Sequence, residues 1–120
     1  MNVPEIKERM IFQLINFTGN GKKVKSEELQ DSIFREVNAH NDVIIRKIFR
    51  EIVEDEYRKP EPKHLYGSST KGFFEAKTEK EAEEAINFIY DKLVSLSERL
   101  SRMKKTYKKI TDQEYQRKLF

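Results

Sequence analysis

Nine apolar residues near the C-terminus alternate at spacings of four and three: Ala82, Ile86, Ile89, Leu93, Leu96, Leu100, Met103, Tyr107 and Ile110. A mean spacing of 3.5 keeps one seam of a helix turned toward a partner helix, the condition for coiled-coil packing. The seam spans 28 residue steps, about 42 Å at the helical rise of 1.5 Å. A compact domain of about 75 residues is only near 30 Å across. The stripe either packs on its own domain throughout, or does so in its first half and pairs with a second copy in the rest. The length favours the second, with Ile86, Ile89, Leu93, Leu96, Leu100, Met103 and Tyr107 as dimerisation residues and the helix orientation open.

With 120 residues the chain has room for one domain and an appended element. Charged residues reach 38% against 37% hydrophobic, the balance of a small helical domain with a modest core and a large solvated surface. Without cysteine there is neither a disulfide framework nor a thiolate metal site. No apolar stretch is long enough for a membrane span, and Met1-Asn2-Val3-Pro4-Glu5 lacks the basic-then-apolar pattern of a signal peptide, so a cytoplasmic location is expected. The net charge of +3 gathers late: the start of the seam helix carries Glu79, Glu81, Glu83 and Glu84, whereas Arg99, Arg102, Lys104, Lys105, Lys108, Lys109, Arg117 and Lys118 follow. This gradient complements the helix macrodipole and leaves a basic tail.

Three shorter helices precede the seam. Pro4 suits a first helical turn, and Ile6, Met10, Ile11, Leu14, Ile15 and Phe17 recur at helical spacing up to Thr18-Gly19-Asn20-Gly21, which permits a sharp exit. Lys22-Lys23-Val24-Lys25 reads as a brief extended segment. Ser26 reads as the N-cap of a second helix burying Leu29, Ile33, Phe34 and Val37. Asn38-Ala39-His40-Asn41 reads as a turn, with Asn41 or Asp42 capping a third helix that buries Ile45, Ile48, Phe49, Ile52 and Val53 and ends near Tyr57. Pro60 and Pro62 break it. Residues 64–76 form a hairpin around Ser-Ser-Thr-Lys-Gly, and Thr78-Glu79-Lys80-Glu81 is a capping box opening the long helix.

The expected class is thus mainly α with a small β-hairpin. Three helices then a hairpin, with helices two and three joined by four residues, is the order of a winged helix-turn-helix. The expected layout is a winged domain over residues 1–77, a dimerisation helix over 78–110 and a basic, flexible tail over 111–120. Asn41–Ile52, with its Ile45-Arg46-Lys47-Ile48 core, and Ser68–Glu81, with Ser69-Thr70-Lys71-Gly72-Phe73-Phe74, resemble a group of small winged-helix proteins of bacteriophages and integrative elements of Gram-positive bacteria. The resemblance covers roughly residues 5–105 and implies a DNA-binding regulator or replication accessory of a mobile element. Two positions depart from that group. Phe73 replaces its tyrosine, and Val43 and Ile44 stand where it tends to carry polar, base-reaching residues. Aliphatic side chains meet a thymine methyl but make no bidentate hydrogen bonds to bases, and an exposed Val-Ile pair equally suits a protein partner. Partial burial of both under the hairpin is the third alternative.

In a helix-turn-helix the third helix enters the major groove. The candidate double-stranded DNA contacts are then Lys22, Lys23 and Lys25 ahead of the second helix, His40, Asn41, Val43, Ile44, Lys47 and Arg50 on the third, and Lys71 at the wing tip. Arg46 is assigned to a carboxylate such as Glu51 or Glu28. The acids Glu51, Glu54, Asp55 and Glu56 must point away from Lys47 and Arg50 if that face meets DNA. His40 and His64 have no partner at catalytic or ligand spacing, and Gly19-Asn20-Gly21-Lys22 lacks the P-loop spacing. No enzyme activity, metal or cofactor is therefore expected. The first expectation is a homodimeric DNA-binding protein; the alternative is a winged-helix module that binds protein and blocks a host or competitor nucleic-acid machine.

Overall fold

A computed structural model describes residues 1–117. The elements run α1 (Val3–Phe17), α2 (Ser26–Phe34), α3 (Ala39–Tyr57), β1 (Tyr66–Ser69), β2 (Gly72–Glu75) and α4 (Glu79–Thr111). The fold is mainly helical, with one two-stranded antiparallel hairpin and a long C-terminal helix. No described helix is long and apolar enough to cross a membrane.

The first unit is Met1–Ile86. It reaches past the expected boundary at residue 77, because the first two turns of α4 belong to its packing. Its core joins Ile6, Met10 and Leu14 of α1, Leu29 and Ile33 of α2, and Ile45, Ile48, Phe49 and Ile52 of α3. The helical periodicity placed these correctly, but not every apolar residue on the stripes is inside. Phe17 is exposed and stacks edge-on with Phe12, and Val37 lies beyond the end of α2 in solvent. Phe34 and Val53 are half-buried at the core margin.

Caps account for the helix boundaries. The Asn2 side chain accepts from Glu5 N–H at 2.9 Å and starts α1. It ends at Thr18, whose hydroxyl donates to the Leu14 carbonyl. Gly19-Asn20-Gly21-Lys22 is a tight turn with Asn20 and Gly21 at φ 54° and 89°, the left-handed pair that an Asn-Gly turn supplies. α2 is capped one residue earlier than expected, at Lys25, and the Ser26 hydroxyl donates to Asp42 and accepts from the Gln30 side-chain amide instead of from a backbone N–H of its helix. Arg35, at φ 58°, turns the chain out of α2. The four-residue connection is 35–38, three residues upstream of the expected turn. Asn38 caps α3 by accepting from Asn41 N–H at 2.8 Å, so His40 and Asn41 sit inside the first turn of the helix.

Val24 joins the hairpin as a third, one-residue rung: its N–H donates to the Phe73 carbonyl at 2.9 Å and its carbonyl accepts from Phe73 N–H at 2.7 Å. The short extended segment expected there is this rung. Phe73 packs on Phe49 of α3, with ring centroids 4.6 Å apart. On the opposite face Gly67 lies directly against Ala85 of α4, where any β-carbon would come within 2.4 Å of the Ala85 methyl. The capping box at Thr78 is extended by a tertiary contact. Glu81 N–H donates to the Thr78 hydroxyl, while the Glu81 carboxylate accepts from the N–H groups of Lys77, Asn20 and Gly21. Lys77 Nζ donates to the carbonyls of Ile15 and Thr18, at 2.7 Å each, and closes the end of α1.

The second unit begins at Asn87. Along it the seam residues Ile89, Leu93, Leu96, Leu100, Met103 and Ile110 are all exposed. Asp112, at φ 56°, ends α4 by donating its N–H to the Lys108 carbonyl. The chain then turns back: Glu114 pairs with Lys108 at 2.7 Å, and the Tyr115 ring meets Tyr107 edge-on at 5.5 Å. Residues 112–115 are therefore folded against the helix end. Lys118, Leu119 and Phe120, part of the expected tail, lie outside the described residues.

Candidate nucleic-acid interface

α3 turns its apolar face to α1 and α2 and leaves one stripe in water. His40, Val43, Lys47 and Arg50 are exposed along it at spacings of three, four and three, while Ile44 beside them is half-buried against the core. Val43 is 63% exposed, so the hairpin does not cover it. Neither Lys47 nor Arg50 has a carboxylate within 4.0 Å among the described residues.

The acids of α3 are drawn off in other directions. Lys7 of α1 bridges Glu51 at 3.7 Å and Asp55 at 2.9 Å. Its hydrogen bond to Asp55 outweighs partial desolvation and raises the lysine above its ordinary value. Glu54 pairs with Arg58 one turn on. Glu56 is buried and accepts from Lys59 Nζ and the N–H groups of Lys63 and His64. The Lys59 ammonium is the largest influence and, with the Lys63 N–H, overcomes burial to hold the Glu56 carboxyl at about 2.

A second basic group lies where the hairpin tip approaches the start of α2. Lys25, Arg46 and Lys71 line a polar cleft of about 360 Å³, together with Ser26, Glu27 and residues 69–73. Arg46 pairs with Asp42 at 2.9 Å, not with Glu51 or Glu28, and its guanidinium lies 5.7 Å from the centre of the Phe73 ring. The Ser26 hydroxyl, then Arg46, hold Asp42 below the ordinary carboxylate range. Arg46 is thus held by a carboxylate, though not one of the two expected, and it is also exposed and lines the cleft. The signal was there in the Asp42-to-Arg46 spacing of four, which fixes an arginine on an exposed helix face. Lys22 is exposed at the Asn-Gly turn.

Two expected contacts are removed. Lys23 bonds Glu84 of α4 and lies 4.9 Å over the Phe74 ring, which makes it part of the scaffold. Asn41 is buried, and its amide donates to the Glu36 carbonyl at 2.9 Å, closing the link between α2 and α3. His64 lies under the hairpin, with Nδ1 2.9 Å from Glu75 Oε2, an oxygen with no other partner. Burial, followed by the charges of Glu75 and Glu56, pushes the neighbouring Tyr66 hydroxyl up to about 12. Among the described residues no cluster of three His, Cys, Asp or Glu side chains is arranged to hold a metal ion.

No protein-family model matches the chain, and no characterised protein or solved structure is significantly similar to it.

Proposed function

We propose that the chain is a homodimeric winged-helix DNA-binding protein, acting without enzymatic chemistry as a transcriptional regulator or replication accessory of a phage or mobile element. The observation that carries this reading is the exposed, unpaired row of Lys47 and Arg50 on α3, with Lys25, Arg46 and Lys71 beside the hairpin tip. The three helices, the hairpin and the Val24 rung support a winged helix, in which α3 enters the major groove and the hairpin reaches the backbone. Such contacts are mostly to phosphate and supply affinity more than sequence discrimination. The exposed seam of α4 supports pairing of two chains, so that one duplex meets two domains.

One observation favours a second reading. Val43 stands in the open at the front of α3 and reads bases poorly, so a protein partner whose apolar surface covers it is the alternative.

Titrating the protein into a fluorescent duplex at several salt concentrations separates the two. DNA binding appears as affinity that falls steeply with salt, each phosphate contact adding about 0.9 to the logarithmic slope. Absence of binding at low salt removes the first reading and leaves the second.

A further inference from the structure

We infer that two α4 helices pair antiparallel, with Leu93 of one chain layered on Leu96 of the other; the inference rests on the self-pairing proposed above. Apart from Tyr107, which meets Tyr115, the seam is largely open among the described residues, with Leu93 62%, Leu96 56% and Leu100 51% exposed. A second copy is the occupant because charge along this helix complements its own reversal. Between Glu79 and Val94 there are five acidic and two basic residues, whereas Ser95–Thr111 holds one acidic and six basic. Parallel pairing stacks like halves on each other. Antiparallel pairing lays each acidic half on a basic half and also opposes the two helix dipoles.

The positions beside the seam agree. With Ile86, Leu93, Leu100 and Tyr107 on one line of the seam and Ile89, Leu96 and Met103 on the other, the flanking charged residues are Glu83, Lys92, Arg99 and Lys104. In a parallel pair the heptad rule sets Arg99 of each chain against Lys104 of the other, two repulsions without a compensating attraction. In the antiparallel layering Ile86 meets Met103, Ile89 meets Leu100, and Glu83 approaches Lys104 twice. Its like-charge approach, Lys92 to Arg99, also occurs twice, but it joins long side chains that can splay into water, so attractions and repulsions balance where the parallel pair has repulsions alone.

The chain has no cysteine, so spin labels attached through Asp91→Cys or Lys105→Cys, both on the outer side of the helix, report pairing in the full-length protein. In the antiparallel layering the two Lys105 positions are offset by 21 residues, about 32 Å along the axis, and the two Asp91 positions by 7 residues, about 10 Å. The expected result is an inter-label distance at 105 longer than that at 91 by more than about 10 Å. Equal distances at both sites mean a parallel pair and overturn the orientation while leaving the dimer standing. No inter-label distance at either site means no pair, and overturns the dimer with it. A second measurement avoids labels: Glu83→Lys and Lys104→Glu singly should weaken dimerisation several-fold and together restore it. Failure of the double variant to recover counts against the antiparallel contact.

Discussion

Glu56 and Glu81 are acidic side chains taken out of water and held by backbone N–H groups, and each fixes a joint that helix propensity alone would leave loose. For Glu56 the folded-state value of about 2 lies below the ordinary 4.5. The linked stability is therefore fully present above about pH 5 and is lost as pH falls from 4.5 toward 2. Glu56→Gln should cost about 2 kcal/mol at pH 7, allowing for the solvent that screens Lys59, and nothing near pH 2. Urea unfolding of both proteins across that range checks it; a difference independent of pH would mean that the carboxylate charge is not what holds the joint. At Glu81 burial pushes the carboxyl up, but the N–H groups of Gly21, Lys77 and Asn20 and the Thr78 hydroxyl together bring it below its ordinary value. Glu81→Ala strands three N–H donors and should destabilise by about 2–4 kcal/mol. Lys47 and Arg50 behave differently, because neither has a carboxylate within 4.0 Å among the described residues. Charge reversal of Lys47 with Arg50 should weaken DNA binding at least ~10-fold with the melting temperature nearly unchanged. A folded double variant with full affinity would take α3 off the DNA surface.

The hairpin is pinned on both sides, and glycine is required at each pin. Gly72 sits at φ 134°, where a β-carbon would stand 2.5 Å from the Val24 carbonyl oxygen. Gly72→Val should therefore cost about 3 kcal/mol or more through strain and loss of the Val24 rung, read as a shifted urea midpoint. Gly67→Ala should be destabilising as well, since its methyl would displace the first turns of α4 from β1. Full stability of either variant would mean that the hairpin does not pack against Val24 and Ala85. How much of these elements was legible in the chain depends on how far apart the deciding partners are. Apolar spacing gave the helices and the end of α3 at Tyr57, and the Ser-Ser-Thr-Lys-Gly turn gave the hairpin. The start of α3 was misread because Asn38 and Asn41 are both capping residues, and Asn41 is claimed by the Glu36 carbonyl. The cap of α2 was misread because Ser26 bonds Asp42, 16 residues away. The exposure of Lys47, Arg50 and Lys71 was legible, as it depends on no distant partner. Lys23 was not, since the acid that removes it, Glu84, is 61 residues downstream.

Across the whole molecule, the exposed seam of α4 is the surface on which the proposed pairing of two chains rests. Burying a leucine in a dimer is worth roughly 1.5–3 kcal/mol per side chain. Leu96 and Leu100 are exposed in the single chain, so replacing both by glutamate should convert a dimer to a monomer without unfolding the first unit. DNA binding would weaken through loss of the second site alone. Sedimentation at tens of micromolar settles the premise: an unmodified protein that runs as a monomer leaves the stripe unpaired and the prediction without force. A different consequence follows from the contacts that close the end of α1. Thr18 accepts from Glu75 N–H across 57 residues, and Glu81 holds Asn20 across 61. Loop closure on that scale delays folding far more than it weakens the folded state. During synthesis the first helix is made first but finished last. The turn that ends it, Thr18 to Gly21, lacks its long-range partners until the hairpin and the opening of α4 have emerged from the ribosome, so closure of that joint waits for residues 75–81.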